Sequence, residues 1–362
     1  PHSQINNHLQ TPGQVIKRLP GQKYTYGDAF CGAGGATRGA HMAGLKVLWG
    51  FDKDTHACSS WHKNFPSAAI YEMTAHEVCS QPSVSLICDI LHMSPPCQFF
   101  SPAHTIAGRD DEMNSASLLA CHEILRCARP RIVTLEQTFG ITHAQFALYF
   151  NAVVNMFTTN GYSITYKICQ LHLWVSRVPP CLLQFLLYHF PPLFYRLQLT
   201  KQQGLAQRRT RLIIIGSGPG ERLPQIPAYT HSKDGDPSNG ILRFTGVRGL
   251  IKDIKPGDPD HNLHNVALKQ RRLPWDGDGI CPRAMTTAGG QNFHFDGVRG
   301  FTNREFAAIQ GFPLEHVFGM KGVKKQIGNA VPPTIAKILF QAVVNSLEES
   351  DGVGKEVITL DD

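Results

Sequence analysis

The chain has 362 residues, 42% of them hydrophobic, so it can bury a complete core and carry a smaller appended region. Lys and Arg number 35 against 28 Asp and Glu, and this net charge of +7 excludes a strongly acidic protein and suits a polyanionic partner without requiring one. The ten cysteines include no Cys-x-x-Cys pair, which favours reduced thiols inside a cell over a zinc site. The most apolar stretch, 181–195, is broken by prolines and polar residues, so we expect no membrane-spanning segment.

Apolar runs of strand length alternate with amphipathic runs of helix length from Tyr24 onward. This alternation predicts an α/β fold with a doubly wound, mostly parallel sheet. The predicted strands are YTYGDAF, KVLWGF, DILHM, RIVTLE, YSITYKI and RLIIIG. The predicted helices are ATRGAHMAG, THACSSWHKN, SASLLACHEILRCA, AQFALYFNAVVNMF, TNREFAAIQ and PTIAKILFQAVVNSL.

The composition of the chain changes after Gly216. Residues 217–282 are rich in Gly, Pro, Asp, His and Asn, which predicts a small loop-rich module. We therefore expect an N-terminal extension at 1–23, a main domain formed by 24–216 and 283–347, and an acidic, disordered tail at 348–362.

A glycine-rich loop follows the first predicted strand and leads directly into a helix. Gly32 and Gly34 would let the backbone approach a ligand at the helix N-terminus. A dinucleotide fingerprint would need a further glycine where Thr37 stands, which disfavours a nicotinamide enzyme. Asp52 ends the second strand, where a carboxylate can bind the ribose of a nucleoside cofactor. A plain tight turn with a surface Asp explains the loop alone equally well.

A cysteine follows the strand DILHM, in the sequence SPPCQ. Cys97 therefore lies at the carboxyl end of a parallel strand, where ligands bind in such sheets. The loop at 99–114 is long, polar and contains glycine, as is typical of a segment that closes over a substrate. We expect Cys88 and Cys127 to be buried structural thiols because they lie in apolar runs, whereas Cys97 does not and is a candidate nucleophile.

Glu136 ends the next predicted strand, RIVTLE, beside the strand that leads to Cys97. A carboxyl group beside a thiolate suits acid catalysis. A helix cap or an ion pair at a strand end is an equally good explanation of Glu136 taken alone.

Six motifs in order, DAFCGAGG, SPPCQ, LEQT, QRRTR, PRAMTTAGG and QIGNAVPP, resemble those of the cytosine carbon-5 DNA methyltransferases. The resemblance extends from about Tyr24 to Leu347. It implies a methyltransferase fold that uses S-adenosylmethionine, and transfer of the methyl group to carbon 5 of a cytosine flipped out of DNA. In that reaction Cys97 forms a covalent bond to the base and Glu136 assists at ring nitrogen 3.

The resemblance also implies roles for individual residues. The expected catalytic residues are Cys97, Glu136, Arg209 and Arg211. The expected cofactor-binding residues are Phe30, Gly32, Gly34, Asp52, Glu72 and Asn329, and the expected substrate-loop residues are Pro96, Gln98 and Ser101. No metal is expected.

The arginine pair has a second basis in the sequence. If Arg209 and Arg211 lie on one strand, alternation places both on the same face, where they could meet a phosphate or a carboxylate. A solvated strand end is the alternative.

By the same resemblance the module at 217–282 is a target-recognition region, the partner is double-stranded DNA and the protein is nuclear. Glu136, Gln137 and Thr138 stand where Glu-Asn-Val is common, a variant that resembles the fungal RID-like branch of the family. Ala206 and Phe295 also replace prolines that are usual in the family. Deleting 175–202 restores the family spacing, and we interpret this segment as an insertion, with an unspliced intron as the hypothesis.

Two other functions fit the same residues. One family branch methylates transfer RNA with the same motifs and fold. A catalytically silent, methyltransferase-like DNA-binding or scaffold protein would also keep most of the pattern.

Overall fold

The computed structural model describes residues 17–96, 98–100, 111–174, 205–264, 266–286, 291–319 and 321–353. Cys97, Ser101 and the segment 175–202, which carry three of the sequence-based predictions, lie outside the described residues. The strands are β1 Thr25–Ala29, β2 Lys46–Asp52, β3 Ala69–Glu72, β4 Ile90–Met93, β5 Ile132–Gln137, β6 Ser163–Gln170, β7 Thr210–Ser217, β8 His231–Ser232 and β9 Leu242–Arg243. The helices are α1 Gly35–Met42, α2 Thr55–Asn64, α3 Ala75–Ser80, α4 Asp111–Ala128, α5 Ala147–Thr159, α6 Val247–Ile251, α7 Asn303–Ile309, α8 Val323–Asn329 and α9 Pro333–Asp351.

Seven strands form one sheet in the order β3-β2-β1-β4-β5-β7-β6. Strands β1 to β5 pair in parallel, and β7 runs antiparallel to both β5 and β6. The predicted mostly parallel α/β sheet is confirmed. Because the chain winds outward from β1 to β3 and then crosses to β4, the order reverses between β1 and β4. Ligands bind outside the carboxyl ends of the strands at such a reversal.

Helices cover both faces of this sheet. On one face α1 packs against α9 so closely that a Cβ at Gly39 would lie 2.4 Å from the Cβ of Ala336. On the other face, side chains from α3, α4 and α5 join the buried cluster beneath β4 and β5. Cys121 of helix α4 is buried in that cluster, whereas Cys127 of the same helix is exposed. The expectation that Cys127 is buried is therefore wrong. The apolar run shows that α4 is amphipathic, but the tertiary packing decides which of its residues are covered.

Residues 348–351 correct the predicted disordered tail. They form the last turn of α9, and the Asp351 carboxylate receives hydrogen bonds from the guanidinium of Arg131 at 2.6 and 2.9 Å and from the hydroxyl of Tyr24 at 2.9 Å. Arg18, in the predicted N-terminal extension, donates its backbone N–H to the same carboxylate at 2.8 Å. Local composition does not predict these contacts, because Arg131 and Arg18 are far from Asp351 in the sequence.

Within its described residues, the predicted loop-rich module contains two short strands, β8 and β9, the short helix α6 and a 3₁₀ turn at Pro237–Asn239. Its far end is tied to the main sheet, because Cys281 forms a bridge with Gln207 just before β7. One described helical stretch, 323–351, is long and apolar enough to cross a membrane, but 72% of its most apolar window is buried within the protein.

Candidate active site

The carboxyl ends of β1 and β4 are linked where the sheet order reverses. The backbone N–H of Ser94, just after β4, donates to the carbonyl of Ala29 at 3.2 Å, and the Ser94 hydroxyl donates to the carbonyl of Phe30 at 3.3 Å. These bonds hold the loop that leads toward Cys97 against the glycine-rich loop. Ser94 was not predicted as a site residue, although its position at the start of the SPPCQ motif could have identified it.

Asp52 organises the glycine-rich loop from the end of β2. One oxygen of its carboxylate accepts the N–H of Gly32 at 2.9 Å, and the other accepts the N–H of Asp54 at 2.9 Å. Burial raises the pKa of Asp52, and the backbone donors oppose that shift. The carboxylate predicted to bind a ribose therefore also fixes the loop around it.

The backbone of the loop takes left-handed conformations at three of the predicted positions. The φ angles are 61° at Phe30, 52° at Gly32 and 88° at Gly34. A Cβ at Gly32 would meet no atom within 4 Å, so this residue borders open space, whereas one at Gly34 would lie 2.6 Å from the ring of Phe65. Glycine is thus required at position 34 by packing and conformation together, and at position 32 by conformation.

Thr37, which breaks the dinucleotide fingerprint, has a structural use. Its hydroxyl donates to the buried carboxyl of Asp28 and accepts the indole N–H of Trp61, the latter at 2.8 Å. Burial raises the pKa of Asp28 to about 7, with the hydrogen bond from Thr37 acting in the opposite direction. A glycine at position 37 would leave this buried carboxyl and indole without their shared partner.

Glu72 and Asn329 lie at the two sides of the glycine-rich loop. Glu72 ends β3 directly beside Asp52 in the parallel ladder and accepts the hydroxyl of Thr55 at 2.5 Å. Asn329 ends α8 with an exposed side chain, and the next residues lie against the start of α1, where a Cβ at Gly35 would come within 2.3 Å of the Val331 carbonyl. The predicted cofactor residues thus converge from β1, β2, β3 and α8, elements far apart in the sequence.

Glu136 and Arg211 form a shielded ion pair on neighbouring strands. The Nε atom of Arg211 lies 2.7 Å from a carboxylate oxygen of Glu136, and their side chains are only 14% and 7% exposed. Glu136 stands one residue beyond Leu135, which pairs with Met93 at the end of β4. The carboxyl group is therefore at the strand edge from which the segment Ser94–Pro96 leads to Cys97.

Arg209 does not lie on the strand that carries Arg211, contrary to the expectation that alternation places both side chains on one face. It precedes β7, is 3% exposed, and donates to the carbonyls of Met285 at 3.1 Å, Ala330 at 3.3 Å and Gly328 at 3.5 Å. Its guanidinium joins two distant segments to the main sheet. Alternation on a strand did not apply because Arg209 lies outside the strand.

Gln207 has a similar joining role that the sequence did not single out. Its side chain is fully buried, accepts the N–H of Met285 at 2.6 Å and donates to the side chain of Gln310 at 2.7 Å. The sequence feature that could have identified Gln207 is its position at the start of the QRRTR motif. The unusual residues after Glu136 are likewise part of the core, since Gln137 is buried and its side-chain oxygen accepts the N–H of Thr138 at 2.8 Å.

The structure describes the residues at the two ends of the predicted substrate loop. Pro96 is half-buried, and Gln98 begins a single 3₁₀ turn that ends at Phe100. The ring of Phe100 is fully buried and packs edge-on against Phe146 and Tyr149, with centroid distances of 5.3 and 5.2 Å. Asp111–Asn114, predicted as part of the loop, are the first turn of α4. No group of three His, Cys, Asp or Glu side chains suited to a metal occurs among the described residues.

The model of one family, the C-5 cytosine-specific DNA methylases, matches residues 24–173 and 269–345, more than half of the chain. The Type II methyltransferase M.Eco47II of Escherichia coli is 28% identical over 92% of this chain and 81% of its own length. The Type II methyltransferase M.NgoFVII of Neisseria gonorrhoeae is 25% identical, over 89% and 88%.

Two solved structures share the fold. A DNA modification methyltransferase encoded within an E. coli prophage has a TM-score of 0.64 at 18% identity, covering 90% of this chain and 100% of that one. The S. pombe Dnmt2 methyltransferase has a TM-score of 0.55 at 15% identity, covering 91% and 99%.

Proposed function

Since the chain belongs to the C-5 cytosine-specific DNA methylase family and is a DNA cytosine-5 methyltransferase that uses S-adenosylmethionine, we propose that Cys97, Glu136 and Arg211 perform its chemistry. The predicted activity and cofactor are confirmed, and the roles of individual residues are what we propose. The observation that supports them is the shielded Glu136–Arg211 pair, which lies beside the end of β4.

The glycine-rich loop suits a nucleoside cofactor. Gly32 borders open space, and the carboxylates of Asp52 and Glu72 stand side by side at the adjoining strand ends. We propose that these residues, with Phe30, Gly34 and Asn329, hold S-adenosylmethionine, which supplies an electrophilic methyl group when bound. Asp52 would then act both on the cofactor and on the loop, because its two oxygens already accept backbone N–H groups.

The proposed reaction begins when the Cys97 sulfur adds to carbon 6 of cytosine. Negative charge then develops on ring nitrogen 3, and a proton shared between that nitrogen and the Glu136 carboxyl lowers the cost of the addition. Arg211 is a positioning residue that fixes the carboxyl by its contact at 2.7 Å. After carbon 5 has been methylated, a base removes the proton from carbon 5 and Cys97 leaves as a thiolate.

Covalent trapping on duplex DNA that contains 5-fluorocytosine tests this mechanism, because fluorine at carbon 5 cannot leave as a proton would. We expect the wild-type chain to be trapped with cofactor present, and Cys97→Ser to bind cofactor and DNA without trapping. Cys127→Ser is the matched control, since this cysteine is exposed on α4, and it should trap like the wild type. If Cys97→Ser still traps, or if it no longer binds cofactor, Cys97 is not the nucleophile.

The trapping assay tests one of the other two functions, and a comparison of methylation rates tests the second. A wild-type chain that binds cofactor and DNA yet never traps, where another family member does, would be a silent binding protein. Faster methylation of transfer RNA than of DNA would assign RNA as the substrate.

We further propose double-stranded DNA as the substrate, 217–282 as its recognition region, a nuclear location and kinship with the fungal RID-like branch. The net charge of +7 supports a nucleic-acid partner, and Glu136-Gln137-Thr138 supports the branch. The two curated relatives described above are bacterial. Methylation of duplex against single-stranded DNA, and imaging of the tagged protein in its own cells, test the substrate and the location.

A further inference from the structure

Two cysteines on neighbouring surface helices lie close together, away from the proposed active site. Cys79 is in the last turn of α3, and Cys127 is in the last turn of α4. His76 and Glu123, whose side chains lie 3.6 Å apart, precede Cys79 and Cys127 by about one helical turn, so the two thiols lie beside each other in the next turn. Such proximity is what a disulfide requires, since its two sulfur atoms must approach to about 2 Å.

The surroundings hold the two helices in this arrangement. Val78 of α3 and Ile124 of α4 belong to the same buried cluster. On the outer side, His76 lies 3.6 Å from the carboxylate of Glu123, which forms a second contact between the helices. The thiols are thus presented by two packed helices and not by a loose loop.

The two thiols differ in their access to solvent. Cys127 is exposed, and Cys79 is half-buried. Burial, the neighbouring thiol and the charge of Glu123 raise the pKa of Cys79 to about 12, which makes it the poorer nucleophile. A small oxidant in solution would therefore meet and react with Cys127 first.

We propose that Cys79 and Cys127 form a reversible disulfide when the protein is exposed to hydrogen peroxide. The Cys127 thiolate attacks one peroxide oxygen, the O–O bond breaks and hydroxide leaves, so sulfur is oxidised to a sulfenic acid and the peroxide is reduced. The Cys79 sulfur then attacks the Cys127 sulfur. The S–O bond breaks, and the hydroxyl group leaves with the Cys79 proton as water.

The proposed disulfide would close a loop of the chain that includes the proposed nucleophile. The loop between residues 79 and 127 contains β4, Cys97 and all of the substrate loop. A cross-link would restrict the unfolded states of that whole segment while leaving the surface helices in place. The proposal is independent of the chemistry assigned to Cys97.

The thiol of Cys121 provides an internal control for the proposed disulfide. Cys121 is fully buried in α4 and donates to the carbonyl of Ser117 at 3.6 Å; burial, and to a smaller extent the Cys79 thiol, raises the pKa of Cys121. Because peroxide cannot reach it, Cys121 should stay reduced. A Cys79–Cys121 cross-link would contradict the proposed order of attack.

The experiment uses the full chain with Cys97→Ser, so that the proposed nucleophile does not react. After treatment with hydrogen peroxide, we expect intact mass to fall by two hydrogens, peptide mapping to join Cys79 to Cys127, and dithiothreitol to reverse both changes. The unfolding temperature should rise by at least about 3 °C in the oxidised form. Added Cys127→Ser should abolish the mass change and the thermal shift, whereas Cys121→Ala should retain both.

A reciprocal pair of variants checks the assigned roles. With glutathione disulfide, Cys79→Ser should form a mixed disulfide at Cys127, and Cys127→Ser should form at least about ten times less at Cys79 because of its burial. The proposal is overturned if the oxidised chain shows no intramolecular disulfide, if the bond joins other cysteines, or if only cross-linked dimers form.

Discussion

Replacing Arg209 by Met separates a structural arginine from a catalytic one. The substitution keeps a long side chain but removes the charged donors that reach three carbonyls. The bond to Met285 at 3.1 Å is worth about 1.5 kcal/mol, and the two longer bonds about half of that each, so unfolding should become easier by about 3 kcal/mol. At roughly 1.3 °C per kcal/mol for a chain of 362 residues, the unfolding temperature should fall by about 4 °C.

Arg208→Met is the matched control, because Arg208 is the neighbouring residue and its side chain is exposed. It should change the free energy of unfolding by no more than about 0.5 kcal/mol. Differential scanning calorimetry gives the two shifts, and trapping on 5-fluorocytosine DNA well below the transition gives activity per folded molecule. We expect Arg209→Met to trap normally there. An unchanged unfolding temperature with trapping lost would refute the structural role and place Arg209 at the base.

Three further substitutions test other parts of the protein. Glu136→Gln should slow methyl transfer by about 10² or more, since an amide cannot supply the proton, and a near-normal single-turnover rate would remove Glu136 from the mechanism. Asp52→Ala should weaken cofactor binding at least about tenfold in calorimetric titration, because the Gly32 N–H loses its acceptor, and unchanged affinity would argue against the cofactor loop. Burial lowers the pKa of His92 to about 3, against an ordinary value near 6.5. Between pH 6.5 and pH 3 the imidazole is therefore protonated in the unfolded chain but not in the folded one, so the free energy of unfolding falls as the pH drops through this range. His92→Gln should remove about 2 kcal/mol of the stability difference between pH 7 and pH 5 in urea unfolding, and an equal difference in both proteins would show that His92 is not the titrating group.

Local pattern was sufficient for most of the secondary structure. Helix α2 is THACSSWHKN as predicted, and all six predicted strands are present, because alternating and helical periodicities report which face of each element is buried. Strand β3 was missed, since Ala69–Glu72 is a short edge strand with no fully buried residue and therefore has little apolar signal.

The sequence by itself determined the fold class, the family motifs and the position of Glu136 at a strand end, because each depends on residues adjacent in the chain. Only the tertiary structure decided how the two arginines divide their roles. Arg211 meets Glu136 across β5 and β7, whereas Arg209 meets carbonyls from residues 285, 328 and 330. Likewise, the exposure of Cys127 beside Cys79 and the pairing of Asp351 with Arg131 depend on segments that meet only after folding. Charge and hydrogen-bond partners act over a few ångströms in space, and sequence distance does not encode that proximity.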